Sequence, residues 1–159
     1  WGTEVLTNKY NFAMVGTGND PDGIYPPNTE FYNYKCHLLF ANNINVGDQL
    51  YQSMSTNTSI VSCLAWKHDN ELKLLLVGKK DEDSRVYSTG DIYVNPPPPQ
   101  PYKVKVNLGI PEGTSITIQK IERIDIIKGN IQTETIQYTG SLTLTLNGYS
   151  IILLSMPTY

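Results

Sequence analysis

The chain is poor in charged residues and contains no long apolar run. Charged residues make up 17% of its 159 residues, against about a quarter in an average soluble domain. The net charge of −3 offers no basic field to a phosphate backbone, so we expect no nucleic-acid partner. Apolar runs such as Ile151 to Leu154 are far shorter than the about 20 residues of a transmembrane helix. We therefore expect no membrane span.

Cysteine is also scarce, and this limits the metal chemistry available to the chain. Cys36 and Cys63 are its two cysteines, and no Cys/His cluster has the spacing of zinc ligands. The loop from Gly16 to Gly23 holds oxygen ligands that suit calcium, but it lacks the spacing and the closing glutamate of an EF-hand. We expect no metal and no cofactor. Two interpretations of the cysteines stay open: two buried small apolar side chains, or a disulfide.

The end of the chain shows the clearest pattern. Leucines alternate with threonines from Leu142 to Leu146, which is the period of a strand with one buried face. Asn147-Gly148 then predicts a turn. The apolar run from Ile151 to Leu154 predicts a strand that is covered on both faces. A chain that ends in this way closes a sandwich with its last strands.

Most of the remaining sequence also reads as short strands separated by turns. We predict strands at residues 51–54, 59–66, 72–78, 91–94, 102–108, 115–127 and 131–138. The pattern predicts a mainly β fold, an antiparallel β-sandwich of the jelly-roll or Greek-key type with about eight strands. Because Trp66 ends an apolar strand, we expect it in the core.

One short helix is predicted near the N-terminus. Pro26-Pro27 precedes Asn28 and Thr29, either of which can cap a helix. The residues at helical spacing that we expect to form its buried face are Phe31, Tyr34, Leu38 and Ala41, with Leu39 beside them. The chain is thus predicted to divide into an N-terminal segment, residues 1–48, with strand, loop and helix, and a β-sandwich domain, residues 49–159.

No catalytic motif is present in the chain. Its glutamates stand in unrelated contexts, whereas a glycosidase needs two carboxylates about 5–10 Å apart in one cleft. The nucleophile elbow, the zinc-protease helix motif and the phosphate-binding loop are all missing. His68 lies in a polar hairpin turn with no evident Ser or Asp partner, and we interpret it as a surface residue. We predict no catalytic residue within this chain.

Tyrosine is abundant, which leaves carbohydrate binding open. A sugar-binding face needs exposed aromatic rings that stack on sugar C–H groups. The candidate rings are Tyr87, Tyr93, Tyr102 and Tyr138. Tyrosines are equally common at the margins of an ordinary sandwich, so structural roles are the alternative.

Three stretches resemble the C-terminal part of clan-A glycoside hydrolases of the xylosidase, arabinofuranosidase and endoglucanase type. The stretch from Asp22 to Leu39 is similar to the proline and Tyr-rich entry to the last barrel helix. The stretch from Val61 to Lys79 is similar to the first sandwich hairpin. The stretch from Leu142 to Leu154 resembles the closing strands, although Asn147-Gly148 stands where the family usually has prolines.

The resemblance implies a TIM barrel upstream of the sandwich. The family's catalytic glutamates would then precede Trp1, and Glu4 lies too near the helix to be the nucleophile. Trp1 would match the tryptophan at the end of the eighth barrel strand and so bind carbohydrate, or it simply marks where the chain starts.

The resemblance favours one function over two others. It implies a non-catalytic accessory domain of a secreted or cell-surface glycoside hydrolase, which packs on and stabilises the barrel through the helix and the first hairpin. Its partners would be the barrel and, as a further candidate, polysaccharide. The alternatives are a structural subunit of an extracellular filament, pilus or capsid, and a carbohydrate-binding module.

Overall fold

The computed structural model describes residue 30 and residues 32–78, 101–122, 131–147 and 150–158. Within these ranges the chain forms one helix and eight strands: α1 (Tyr32–Ala41), β1 (Gln49–Tyr51), β2 (Val61–His68), β3 (Glu71–Gly78), β4 (Pro101–Val106), β5 (Ser115–Glu122), β6 (Gln132–Gln137), β7 (Leu142–Asn147) and β8 (Ser150–Pro157). The predicted strand at 91–94, the loop at 16–23 and the helix cap at 28–29 lie outside the described residues.

The strands form two antiparallel sheets of unequal size. The larger sheet has six strands in the order β1-β2-β3-β8-β5-β6, and the smaller one pairs β4 with β7. The predicted mainly β, antiparallel fold of about eight strands with one helix is therefore confirmed. β1 spans Gln49–Tyr51 rather than 51–54. The part of the predicted long strand beyond Glu122 lies outside the described residues.

β8 is an inner strand of the larger sheet, with β3 on one side and β5 on the other. Its neighbours Ile152, Leu153 and Leu154 are each 1% exposed or less, although successive side chains of a strand point to opposite faces. The prediction of a strand covered on both faces is thus confirmed, and the larger sheet must be packed on both of its sides.

The smaller sheet covers one side of the larger sheet. Leu142, Leu144 and Leu146 of β7 are buried, and Thr143 and Thr145 between them are exposed. The leucines pack against apolar side chains of β2, β3, β5 and β8, and we call this cluster the sandwich core. Fully burying one such side chain contributes about 1.5–3 kcal/mol to folding, so the predicted alternation accounts for the attachment of this sheet.

The helix covers part of the opposite side. Cys36 and Leu39 of α1 join Trp66, Ile121 and Leu153 in a second cluster, the helix-side core. Within the described residues, no helix is long and apolar enough to cross a membrane.

The predicted buried face of the helix is wrong at Leu38 and Ala41 and right at Leu39. Leu38 is 38% exposed and Ala41 is exposed, whereas Leu39 is 3% exposed. Apolar side chains occur on every side of α1, so helical periodicity alone does not choose a face. The buried face of α1 is the one that packs against Trp66 of the larger sheet, and it contains Cys36 and Leu39.

The disulfide interpretation is also wrong. Cys36 and Cys63 form no disulfide. Cys36 belongs to the helix-side core and Cys63 packs against the sandwich core, so that the larger sheet lies between them. The other interpretation holds in full for Cys36, which is buried, and in part for Cys63, which is half-buried.

Candidate docking surface beside the helix

Trp66 connects the helix to the larger sheet. Its side chain is fully buried, as the sequence predicted, and its ring meets that of Phe40 edge-on, with 5.8 Å between the centroids. The indole Nε1 donates a hydrogen bond to the carbonyl oxygen of Asn43, at 2.6 Å. A buried indole N–H needs such an acceptor. One side chain of β2 therefore holds both the last turn of α1 and the residues that follow it.

Asn43 ends the helix. Its backbone N–H donates to the carbonyl oxygen of Phe40, and its side-chain Nδ2 donates to that of Leu39, at 2.8 Å. These bonds satisfy carbonyl groups that the end of a helix leaves without an intrahelical partner. Asn43 is thus bonded at three points, and the connection from α1 to β1 begins at a fixed position.

His68 and Asp48 fix the other end of this connection. Asp48 Oδ2 accepts the backbone N–H of Asn45 at 2.7 Å and lies 2.9 Å from His68 Nδ1. The Asn45 N–H lowers the pKa of Asp48 most, and the hydrogen bond and charge of His68 lower it further, against the opposing effect of burial. The result is a short loop with a carboxylate held in its charged form.

This geometry corrects the interpretation of His68 as a surface residue without a partner. Its side chain is 16% exposed and its partner is Asp48. That carboxylate lies far upstream in the sequence, and β1 pairing with β2 brings the two residues together. No local motif contains this information.

Three apolar side chains on this rigid frame remain exposed. Leu38 on α1 is 38% exposed, Val46 in the connection 108% and Leu50 on β1 63%. Leu50 is the register partner of Trp66, so it lies on the helix side of the larger sheet. We call Leu38, Val46 and Leu50 the docking surface. Clustered exposed apolar side chains are typical of protein–protein contact sites.

Glu71 and Glu134 do not form a glycosidase pair. Glu71 is on β3 and Glu134 on β6, and β8 and β5 lie between these strands. At about 4.8 Å per strand, they are roughly 14 Å apart across the sheet, beyond the separation that catalysis uses. Among the residues that the structure describes, no group of three or more His, Cys, Asp or Glu could hold a metal ion.

Lys73 is a buried charge on the helix side of the larger sheet. Its side chain is 6% exposed, and its Nζ donates to Ser155 Oγ at 2.9 Å and to the carboxylate of Glu71. Glu71 is 51% exposed, so water solvates one end of the pair. This arrangement satisfies a buried ammonium group.

The candidate sugar-stacking rings separate into two groups. Tyr138 is 3% exposed, and its hydroxyl lies 2.9 Å from the carbonyl oxygen of Gly140 and 3.1 Å from that of Leu108. It is a structural residue, and Tyr102 is half-buried against the sandwich core. Tyr87, Tyr93 and Trp1 lie outside the described residues, and the role of Trp1 in carbohydrate binding stays a prediction.

Several solved structures of glycoside hydrolases share the fold of this chain. A GH30 endoxylanase from Clostridium papyrosolvens superposes with a TM-score of 0.56 and 17% identity, over 82% of this chain and 28% of that one. A family 30 subfamily 8 xylanase from Clostridium acetobutylicum superposes with a TM-score of 0.60 and 10% identity, over 96% of this chain and 33% of that one. An arabinose-bound GH51 α-L-arabinofuranosidase superposes with a TM-score of 0.61 and 12% identity, over 94% of this chain and 22% of that one.

These matches show a common fold. The chain spans about a third or less of the length of each of the three enzymes. No protein-family model matches the sequence, and no curated protein matches it. The resemblance to glycoside hydrolases is therefore supported at the level of the fold alone.

Proposed function

We propose that this chain is a non-catalytic β-sandwich accessory domain of a secreted or cell-surface glycoside hydrolase. It packs on the catalytic TIM barrel and stabilises it. The observation that carries the proposal is the fold shared with part of three glycoside hydrolases, with TM-scores of 0.56, 0.60 and 0.61. Separated carboxylates on β3 and β6 agree with a domain that leaves the chemistry to another part of the protein.

The docking surface supports a role as a packing partner. Leu38, Val46 and Leu50 are exposed, yet the backbone that bears them is held by Trp66 and His68. A rigid apolar surface loses little conformational entropy on binding. The helix and the first hairpin, β2 and β3, would face the barrel. Under this proposal residues 1–48 form the end of the barrel and residues 49–159 the sandwich domain.

A loss-of-attachment experiment tests the proposal. The docking surface is changed in the full-length protein by V46S and L50S, and thermal unfolding of the barrel is followed by residual glycosidase activity. We expect the barrel to inactivate at a lower temperature. I131S is the matched control, because Ile131 is 40% exposed and precedes β6 at the opposite edge of the larger sheet.

Two further results would contradict the proposal. The isolated chain should not hydrolyse aryl glycosides, and robust turnover by the purified chain would overturn the non-catalytic role. Electron microscopy should show no polymers, and long filaments formed by this chain alone would instead support a structural subunit.

A further inference from the structure

Among the strands that the structure describes, the smaller sheet covers only part of the sandwich core. Its two strands face a sheet of six, and beside β4 lies a groove of about 690 Å³. The floor of the groove is formed by inward-facing residues of β2 and β3, namely Val61, Cys63, Ala65, Leu72, Leu74 and Leu76. β4 and the chain that follows it to Ile110 form one wall, and residues 51–56 form the other.

The wall formed by β4 carries backbone hydrogen-bonding groups. Among the described strands β4 pairs with β7 alone, and the groove lies along its other edge, from Val104 onward. A strand edge is a ready template for a further strand. Adjacent strands lie about 4.8 Å apart, so an added strand would stand above the groove floor.

The side chains along β4 specify what such a strand should contain. Lys103 and Lys105 are exposed, whereas Val104 is half-buried and Val106 is buried. Residues of an added strand that point inward would meet the apolar floor, and residues that point outward would lie opposite the two lysines. Opposite charges across strands are favourable. Among the described residues that line the groove, none is acidic and could compete for this role.

A carbohydrate fits this groove poorly. A sugar needs an aromatic platform and polar groups that contact its hydroxyls, and the floor side chains are aliphatic or Cys63. Tyr51 is the aromatic residue of the lining, at the rim and 43% exposed. Lys73 contributes no charge to the floor, because its ammonium group contacts Ser155 on the other side of the sheet.

We propose that β4 accepts an extended segment of a partner polypeptide, with apolar and acidic residues in alternation, as a third strand of the smaller sheet. The backbone ladder supplies affinity, and the alternating pattern supplies specificity. This site is separate from the docking surface, because the groove lies on the sandwich-core side of the larger sheet and Leu50 faces the helix side. The proposal does not depend on the function of the attached domain.

The test uses the full-length protein and a nine-residue peptide, blocked at both ends, that alternates valine with glutamate. We expect one-to-one binding by calorimetry, with new protection of backbone amides between Val104 and Val106 by NMR. The same peptide N-methylated on every second amide keeps its side chains but loses ladder bonds worth about 1 kcal/mol each. It should bind at least about tenfold more weakly.

Charge reversal tests the pattern. K103E and K105E should each weaken binding of the valine–glutamate peptide about threefold to fivefold. Each should strengthen binding of a valine–lysine peptide. K35E, which makes the same charge change on α1, is the matched control and should leave both affinities unchanged. Lys103 and Lys105 are exposed, and substitutions at exposed positions rarely destabilise a fold, so we expect K103E and K105E to fold.

Several outcomes would overturn the proposal. They are absence of binding at millimolar peptide, equal binding of the N-methylated peptide, or no response to charge reversal. Protection of the amides between Val104 and Val106 before peptide is added would show that the chain itself already covers this edge. A dimer that the peptide dissociates would identify a second copy as the occupant. Xylo-oligosaccharides that protect the same amides would identify a sugar site.

Discussion

The indole Nε1 of Trp66 lies 2.6 Å from the carbonyl oxygen of Asn43. This hydrogen bond joins the central part of the first hairpin to the residue that ends the helix. Its donor is fully buried and the bond as a whole is part-buried. This one hydrogen bond therefore helps to fix the position of the helix, and with it that of the docking surface, relative to the larger sheet.

Trp66→Phe should lower the free energy of unfolding by about 1–3 kcal/mol, because the Asn43 carbonyl loses its buried donor. The remaining ring keeps most of the apolar contact with Phe40. Urea denaturation followed by circular dichroism measures the change. Tyr51→Phe on β1 is the control, since Tyr51 is 43% exposed, and its effect should stay within about 0.5 kcal/mol. Equal effects of the two substitutions would argue against the role of this hydrogen bond.

Asp48 should make stability depend on acid pH. Its pKa is lowered from the ordinary value of 3.8, first by the Asn45 N–H and then by His68. A carboxylate whose folded pKa lies below its unfolded pKa stabilises the fold above the unfolded value, and this contribution is lost as the pH falls through the folded value.

Asp48→Asn should therefore be less stable than the parent at pH 7, and the difference should shrink below about pH 4. Denaturation curves at several pH values measure it. Asp69→Asn is the control, because Asp69 is 88% exposed and its Oδ2 lies 3.8 Å from His68 Nε2. Stability curves of Asp48→Asn and parent that run parallel down to pH 2 would contradict the prediction.

Ser155→Ala should lower the free energy of unfolding more than Lys73→Met does. The first leaves a buried ammonium group with Glu71 alone, and hydrogen bonds to charged groups contribute about 1.5–3 kcal/mol. The second removes the buried charge and keeps an apolar side chain of similar length, a change that is often neutral. The double variant, Ser155→Ala with Lys73→Met, should regain most of the stability that Ser155→Ala alone loses. Additive effects in a denaturation series would contradict this coupling, and Lys103→Met on the exposed face of β4 is the control.

Gly78→Ala should destabilise the fold by about 1–3 kcal/mol, as overpacking does. A methyl group at this position would meet Tyr102 Oη and would lie 2.9 Å from both Leu146 Cδ2 and Ser150 Oγ. Gly109→Ala is the matched control, because a methyl group there meets nothing within 4 Å, and it should be neutral or slightly stabilising. Thermal unfolding compares the two, and a stable Gly78→Ala would show that the end of β3 can shift.

Local patterns were enough to predict much of the fold. The alternation from Leu142 to Leu146 correctly assigned the buried face of β7, since each inward side chain meets the same apolar core. The run from Ile151 to Leu154 correctly indicated a strand covered on both sides. These features depend on a period of two residues within one strand, and sequence displays that period directly.

Features that depend on distant residues could not be predicted. Nothing near His68 indicates that Asp48 is its partner, and nothing in α1 shows that Trp66 selects Cys36 and Leu39. The groove beside β4 follows from the unequal number of strands in the two sheets, which is a property of the topology. The exposed docking surface likewise depends on the tertiary structure, because Leu38 and Leu39 are the same residue type in adjacent positions.

The central place of β8 has a consequence for the order of synthesis. Leu154 lies between Leu74 of β3 and Ile118 of β5, and β8 is the last of the described strands to leave the ribosome. Until β8 is synthesised, β1-β2-β3 and β5-β6 are two separate sheets, and each has one strand edge that still lacks β8 as its partner. A nascent chain therefore exposes the edge of β3, and later that of β5, until β8 is synthesised, and these edges are where a chaperone would bind and where aggregation would begin.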